Sequence, residues 1–365
     1  MREITTVGEY LIHRLYELGA RHVFGVPGDY VLGFYDQLVE SKLNVIGTCT
    51  EIGAGFAGDG YARVNGLGVV CITYCVGGFN ALNAIAGAYA EKSPVIIISG
   101  APGMGERAKS PLLHHKVRDF QTQRDIFERV TVASVAVEDP DRAPQLIDST
   151  IEQCLRHKRP VYIELPRDIV EQPCPKPAPW SVEKPKSDPD ALREAVEEAA
   201  DMLRAAKRPV ILGGVEIHRF GIQNPFLKLV ERSGYPVAAT LLGKSIITET
   251  HPQYIGVYEG ALGREDVRKT VERADCVLIL GAFMTDINLG IYTANLDPAR
   301  TINATSERIG IRHHLYEDVK LVHFIEGLAK AKLGPSKEHT IAPPKAPAPF
   351  HPKAKKSMSV QRFFQ

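Results

Sequence analysis

Four side chains in the first third of the 365-residue sequence combine a type that moves protons with a place in a turn, a loop or a strand-to-helix junction: Asp29, Glu51, His114 and His115. Glu51 follows the strand-like run Asn44-Val45-Ile46-Gly47-Thr48-Cys49 and opens a helix-like stretch with small residues at 53, 54, 55, 57, 58, 60 and 62. Each glycine in a helix interior costs about 1 kcal/mol relative to alanine. Such a stretch therefore marks a backbone that must pass close to a partner helix or a ligand. A carboxyl at a strand-to-helix junction lies where open α/β sheets place ligand-facing residues, although capping and dipole chemistry also accounts for a lone Glu there. Asp29 ends the turn signal Pro27-Gly28-Asp29 after a strand, either facing a ligand or as an ordinary turn aspartate. The adjacent His114 and His115 fall in a loop; titrating near neutrality, they suit proton relay unless they are simply solvated. The second pair, His313-His314, has no such context.

These residues require a scaffold, and the chain reads as strands alternating with helices. Helices are expected over 6–18, 31–39, 51–62, 78–91 and 141–157, and strands over 22–26, 44–49, 69–74, 94–100, 131–137 and 161–165, with a loop over 101–120. Continuous β-branched strands between helices predict a parallel sheet covered on both faces. A first domain of 1–172 is followed by a Pro-rich linker, 173–188, and a middle α/β domain, 189–333. That second domain is expected to hold helices 189–205 and 222–233 and strands 209–214, 236–240, 276–281, 300–304 and 320–324. The predicted class is α/β with two doubly wound domains, each a mostly parallel sheet flanked by helices on both faces. A Pro/Lys linker, 334–356, and a helix start with a serine cap, 357–365, close the sequence.

The stretch from Cys49 to Arg63 resembles the segment around the catalytic glutamate of thiamine-diphosphate-dependent 2-oxo acid decarboxylases, the pyruvate and indolepyruvate decarboxylase group in particular. Three further segments resemble that group in the same order: Phe24-Gly25-Val26-Pro27-Gly28-Asp29-Tyr30, the run from Ile72 to Glu91, and His114-His115. The resemblance implies that Glu51 works on the cofactor's pyrimidine ring and that Asp29, His114 and His115 do acid–base work on the 2-oxo acid. It also implies that Gly28, Thr73 and Gly77 line the cofactor site, and that the assembly is a homodimer or homotetramer with the site between subunits. In that family thiamine diphosphate is held with Mg2+ by a third domain, which the resemblance places after residue 357; without it the chain is expected to be inactive. Gly58-Asp59-Gly60 with Asn80 and Asn83 imitates the family's metal motif, but Asp59 falls two turns into a helix, so no metal ligand is assigned in this sequence. Gly100-Ala101-Pro102-Gly103-Met104-Gly105 lacks phosphate-loop spacing, and Gly213-Gly214 is a weak nucleotide signal.

Composition narrows the alternatives. A net charge of +1 with 44% hydrophobic residues gives no electrostatic footprint for nucleic acid or anionic membrane. No apolar run reaches the roughly 18 residues of a membrane span, and Met1–Thr6 carries no signal-peptide core. The six cysteines, at 49, 71, 75, 154, 174 and 276, are scattered and read as reduced thiols, which implies a cytoplasmic protein. A carboligase resembling acetolactate synthase is disfavoured by Asp29 and the histidine pair. A non-catalytic two-domain subunit, completed by a separate diphosphate-domain chain, is the third possibility.

Overall fold

The computed structural model describes residues 4–180, 185–334, 351 and 355–363. The sequence readings on 1–3, 181–184, 335–350, 352–354 and 364–365 lie outside those residues. The chain divides into two compact units, Met1–Pro185 and Lys186–Gln365.

The first unit runs β1 (Ile4–Thr6), α1 (Val7–Glu17), β2 (His22–Gly25), α2 (Leu32–Glu40), β3 (Asn44–Gly47), α3 (Glu51–Asn65), β4 (Gly68–Ile72), α4 (Val76–Ala90), β5 (Val95–Ala101), α5 (Met104–Lys109), α6 (Thr122–Phe127), β6 (Ser134–Ala136), α7 (Ala143–His157), β7 (Val161–Pro166) and β8 (Pro173–Pro175). Six strands form one parallel sheet in the order β3-β2-β4-β5-β7-β6. Burial of β4, β5 and β7 along their whole length explains their unbroken apolar runs. Two expectations need correction here. The 101–120 segment is not all loop, since Glu106 closes a cap on Gly103 and starts α5. The first residues read as linker are a strand: β8 pairs antiparallel with β1 and buries Cys174.

Two glycines of α3 serve internal packing. A Cβ on Gly55 would lie 2.7 Å from the Ala84 methyl of α4, and one on Gly58 2.5 Å from Val70 of β4. The close approach is therefore to a partner helix and a strand.

A buried polar chain anchors the segment that carries the histidines. The Gln123 side chain accepts the Cys75 N–H and donates to Ser99 Oγ at 2.8 Å and to the Tyr162 hydroxyl. That hydroxyl donates to Glu164 at 2.7 Å, and Arg107 donates to the other Glu164 oxygen at 2.7 Å and to Glu138 at 2.8 Å. Gln123, Ser99, Tyr162 and Glu164 are all buried. Arg107 precedes the 110–121 loop and Gln123 follows it, so one network holds both ends.

The second unit runs α8 (Pro189–Ala205), β9 (Pro209–Gly213), α9 (Glu216–Arg219), α10 (Gln223–Ser233), β10 (Val237–Ala239), β11 (Tyr254–Val257), α11 (Glu265–Glu272), β12 (Cys276–Leu280), β13 (Thr301–Ala304), β14 (Ile309–Ile311), β15 (His314–Tyr316), α12 (Leu321–Lys330) and the turn α13 (Val360–Phe363). Its sheet order is β11-β10-β9-β12-β13-β14-β15, parallel except for the last two strands. The strand expected at 320–324 is the start of helix α12. Its buried positions, 321, 324, 325, 328 and 329, follow the helical period, which a five-residue apolar window cannot distinguish from a strand. All six cysteines are free, and all but Cys49 are buried. Among the described residues no helix is long and apolar enough to cross a membrane.

Gly55→Ala should lower the unfolding free energy by about 1–3 kcal/mol through overpacking against Ala84. Gly87→Ala, exposed in α4 with nothing within 4 Å, should raise it by up to about 1 kcal/mol. Urea titration of the two variants side by side checks both signs. Glu164→Gln leaves the Arg107 guanidinium against Glu138 alone and should lower stability by about 3 kcal/mol in the same assay. A loss below about 1 kcal/mol would show that Glu138 suffices.

Candidate active site

The chain leaves β2 for β3 on one side and returns to β4 on the other. Open parallel sheets bind ligands at such a switch point, outside the carboxyl ends of the diverging strands. Gly28 and Asp29 follow β2, Glu51 follows β3, and Thr73 to Gly77 follow β4. All the residues singled out from the first unit's sequence therefore fall at one edge of the sheet, with the histidine loop following β5.

Glu51 is the first residue of α3. It is not needed as the cap, because Thr50 already accepts the Gly53 N–H at 3.2 Å. Its Oε2 accepts a 2.6 Å hydrogen bond from Asn80 Nδ2 on α4. Its Oε1 lies over Gly77, where an added Cβ would come within 3.1 Å of that oxygen and 2.9 Å of Thr73 Cγ2. A Cβ on Gly28 would meet the Thr73 side chain at 2.5 Å. Gly28, Thr73, Gly77 and Glu51 thus form one continuous wall, in which both glycines admit the threonine. Thr73 is 6% exposed, and its buried hydroxyl oxygen has no hydrogen-bond partner. An orphaned polar atom in a native site calls for a specific explanation, and a ligand group beside it supplies one.

The turn behind this wall is strained. Cys75 adopts φ 57°, outside the range that side chains favour, and the bond from its N–H to Gln123 holds it there. Burial pushes the Cys75 thiol up, so it is a packing group and not a nucleophile.

Asp29 and His114 form the second part of the site. Asp29 Oδ2 lies 2.7 Å from His114 Nε2, with both side chains substantially exposed. The Tyr30 hydroxyl donates to the His114 carbonyl at 3.1 Å, and burial followed by the nearby Asp29 charge holds that phenol above its ordinary value, in the donor form. His115 packs edge-on against His114 with ring centroids 4.8 Å apart. It sits at φ 65°, and its buried Nδ1 is unpartnered. Among the described residues Asp29, His114 and His115 are the one His/Asp group whose ligand atoms lie mutually within 4.8 Å.

Sequence reading missed Tyr30, Gln123 and the role of Asn80. Asn80 carried a signal, since it stands one helical turn beyond Gly77 and so shares its face. The other motifs are engaged elsewhere. Asp59 is buried in α3 and paired with Arg63 through both oxygens, at 3.0 and 2.9 Å. His314 bonds Glu198 at 2.9 Å in the second unit, and that carboxylate holds the imidazole above its ordinary value. After β9, a Cβ on Gly214 would strike the Ala282 backbone at 2.1 Å, and the buried Glu216 carboxylate accepts from Ser306 N and Oγ at 2.8 and 2.6 Å. Both the glycine and the acid thus pack against the chain's own residues.

Comparison with known proteins identifies both units. Residues 5–127 match the family model of the thiamine pyrophosphate enzyme N-terminal TPP binding domain, and residues 196–331 that of the central domain. Indole-3-pyruvate decarboxylase of Azospirillum brasilense is 35% identical over 339 residues, covering 92% of this chain and 61% of that protein. A probable pyruvate decarboxylase of Schizosaccharomyces pombe is 36% identical over 335 residues (90% and 59%), and pyruvate decarboxylase 1 of Pisum sativum 37% over 333 (89% and 56%). The chain spans about three-fifths of the length of these relatives. A carboxyl, an orphaned hydroxyl and a glycine wall at the switch point are thus set in the N-terminal and central domains of a thiamine pyrophosphate enzyme, the family to which this chain belongs.

Proposed function

We propose that this chain forms the pyrimidine-facing part of an enzyme that decarboxylates a 2-oxo acid of the pyruvate, phenylpyruvate or indolepyruvate class to an aldehyde and CO2. The observation that carries the reading is the Glu51 carboxyl at the switch point, beside the unpartnered Thr73 hydroxyl and over Gly77. Thiamine diphosphate, when bound, supplies the carbon nucleophile and the electron sink that this reaction requires. The residues present fit its pyrimidine end: Glu51 would share a proton with a ring nitrogen, Thr73 would offer a hydroxyl, and the Gly77 backbone would permit close contact. Asp29 orients His114 through Nε2, and His115 keeps Nδ1 free, so the group can pass protons to and from the reacting acid.

We further propose Mg2+ as the partner of the cofactor's diphosphate. That hard ion needs clustered oxygen ligands. Asp59 is taken by Arg63, and the Asp29 group is rich in nitrogen. Its ligands are therefore assigned to a diphosphate-binding domain, in the same polypeptide or a partner, without which the described residues do not turn over. The domain limits proposed are 1–172 and 189–333.

A homodimer or homotetramer is the proposed assembly. Phe56, Gly60 and Val64 succeed one another along an exposed face of α3, with Phe56 50% and Val64 81% exposed, and solvent is a poor neighbour for such a stripe. Light scattering should give at least a dimer mass, and Phe56→Asp should shift it toward the monomer. A monomeric wild type would refute this assembly.

The activity test is CO2 release from pyruvate, phenylpyruvate and indolepyruvate by the enzyme from its native source. Glu51→Gln should lower it by at least about 100-fold while the thermal midpoint stays unchanged. Near-normal turnover would overturn the role of Glu51, and acetolactate in place of aldehyde would establish a carboligase.

A further inference from the structure

We infer that Asn80 is a positioning residue that gives the two oxygens of Glu51 different tasks. The inference rests on the proposed role of Glu51. A glutamate at the start of a helix has three free torsions and can turn back onto its own backbone N–H groups, but Thr50 already fills that position. Asn80 Nδ2 reaches across from α4 and holds Oε2 at 2.6 Å. A carboxylate only accepts, so the amide must present its N–H2 end to it. Unlike lysine or arginine, the amide brings no positive charge, and so it fixes the carboxyl without pairing its charge. Oε1, facing Gly77, is left as the oxygen that exchanges a proton with an aminopyrimidine ring nitrogen. The proton moves between Oε1 and that nitrogen, and nothing else changes hands. Asn80 is thus the donor that selects the reactive oxygen.

The isosteric variant Asn80→Asp tests this, because it keeps shape and reverses the donor. Thiamine diphosphate, with excess Mg2+, is titrated calorimetrically into the native enzyme carrying wild type, Asn80→Asp, Asn80→Ala, Glu51→Ala or both alanines. A hydrogen bond to a charged group corresponds to about a tenfold change in affinity. Asn80→Ala should therefore weaken binding about tenfold and Asn80→Asp at least as much, with kcat for the 2-oxo acid falling and KM unchanged. In the Glu51→Ala background Asn80→Ala should change binding less than about twofold, since the partner is gone. If both Asn80 variants bind within about twofold of wild type while Glu51→Ala binds poorly, the assignment of Asn80 fails and the role of Glu51 stands. If Glu51→Ala changes neither binding nor turnover, both readings fall together.

Discussion

The close approach of α3 to α4 and β4 is the constraint on which the first unit depends. Gly55 and Gly58 remove the Cβ atoms that would otherwise strike Ala84 and Val70, and Gly68 does the same beneath Gly58. With α3 pressed against both neighbours, its first residue emerges at the carboxyl edge of the sheet, beside the point where the connections after the paired strands β2 and β4 leave in opposite directions. The same contact brings α4 alongside and sets Asn80 within reach of Glu51. The helix propensity lost at these glycines, about 1 kcal/mol each, is offset by the buried area the contact creates.

The edge of the sheet is held in a conformation its residues would not choose alone. Cys75 and His115 both occupy the left-handed region, which typically costs about 1–3 kcal/mol per residue. For Cys75 the restraint is explicit: Gln123 binds its N–H and is itself fixed by Ser99 and Tyr162. Glu164 joins this chain to Arg107 on the far side of the histidine loop. A network of this kind is stable because its buried members find partners within it. Of the four buried side-chain polar atoms left without a partner among the described residues, Thr73 Oγ1, His115 Nδ1, Arg124 Nε and Asn303 Oδ1, the first two belong to the candidate site.

The second unit shows how little the architecture alone implies. It too has a parallel sheet with a switch point, between β9 and β12, and glycines after β9. There the glycines accommodate the chain's own Ala282 and Ile246, and the buried acid Glu216 is satisfied by Ser306. Similar topology yields self-packing in one unit and, in the other, a carboxyl and an unpartnered hydroxyl at the sheet edge, because what such a point carries depends on the side chains placed there.

Local pattern sufficed for the α/β class and most of the elements, since strand and helix periods and turn residues act over a few neighbours; on pattern alone Glu51, Asp29, His114 and His115 read equally as cap, turn and solvated residues, and only the family resemblance singled them out. It failed where the signal was short. The apolar start of α12 read as a strand, and the pairing of β8 with β1 is invisible without its distant partner. The small-residue stretch announced a close approach without saying to what. Tertiary structure alone decided that α4 and β4 are the neighbours, that Asn80 serves Glu51 across 29 positions, and that Gln123 braces Cys75 across 48. The reason is physical: periodicity shows which face of an element is buried, whereas a hydrogen bond between distant side chains depends on which elements the sheet order makes adjacent.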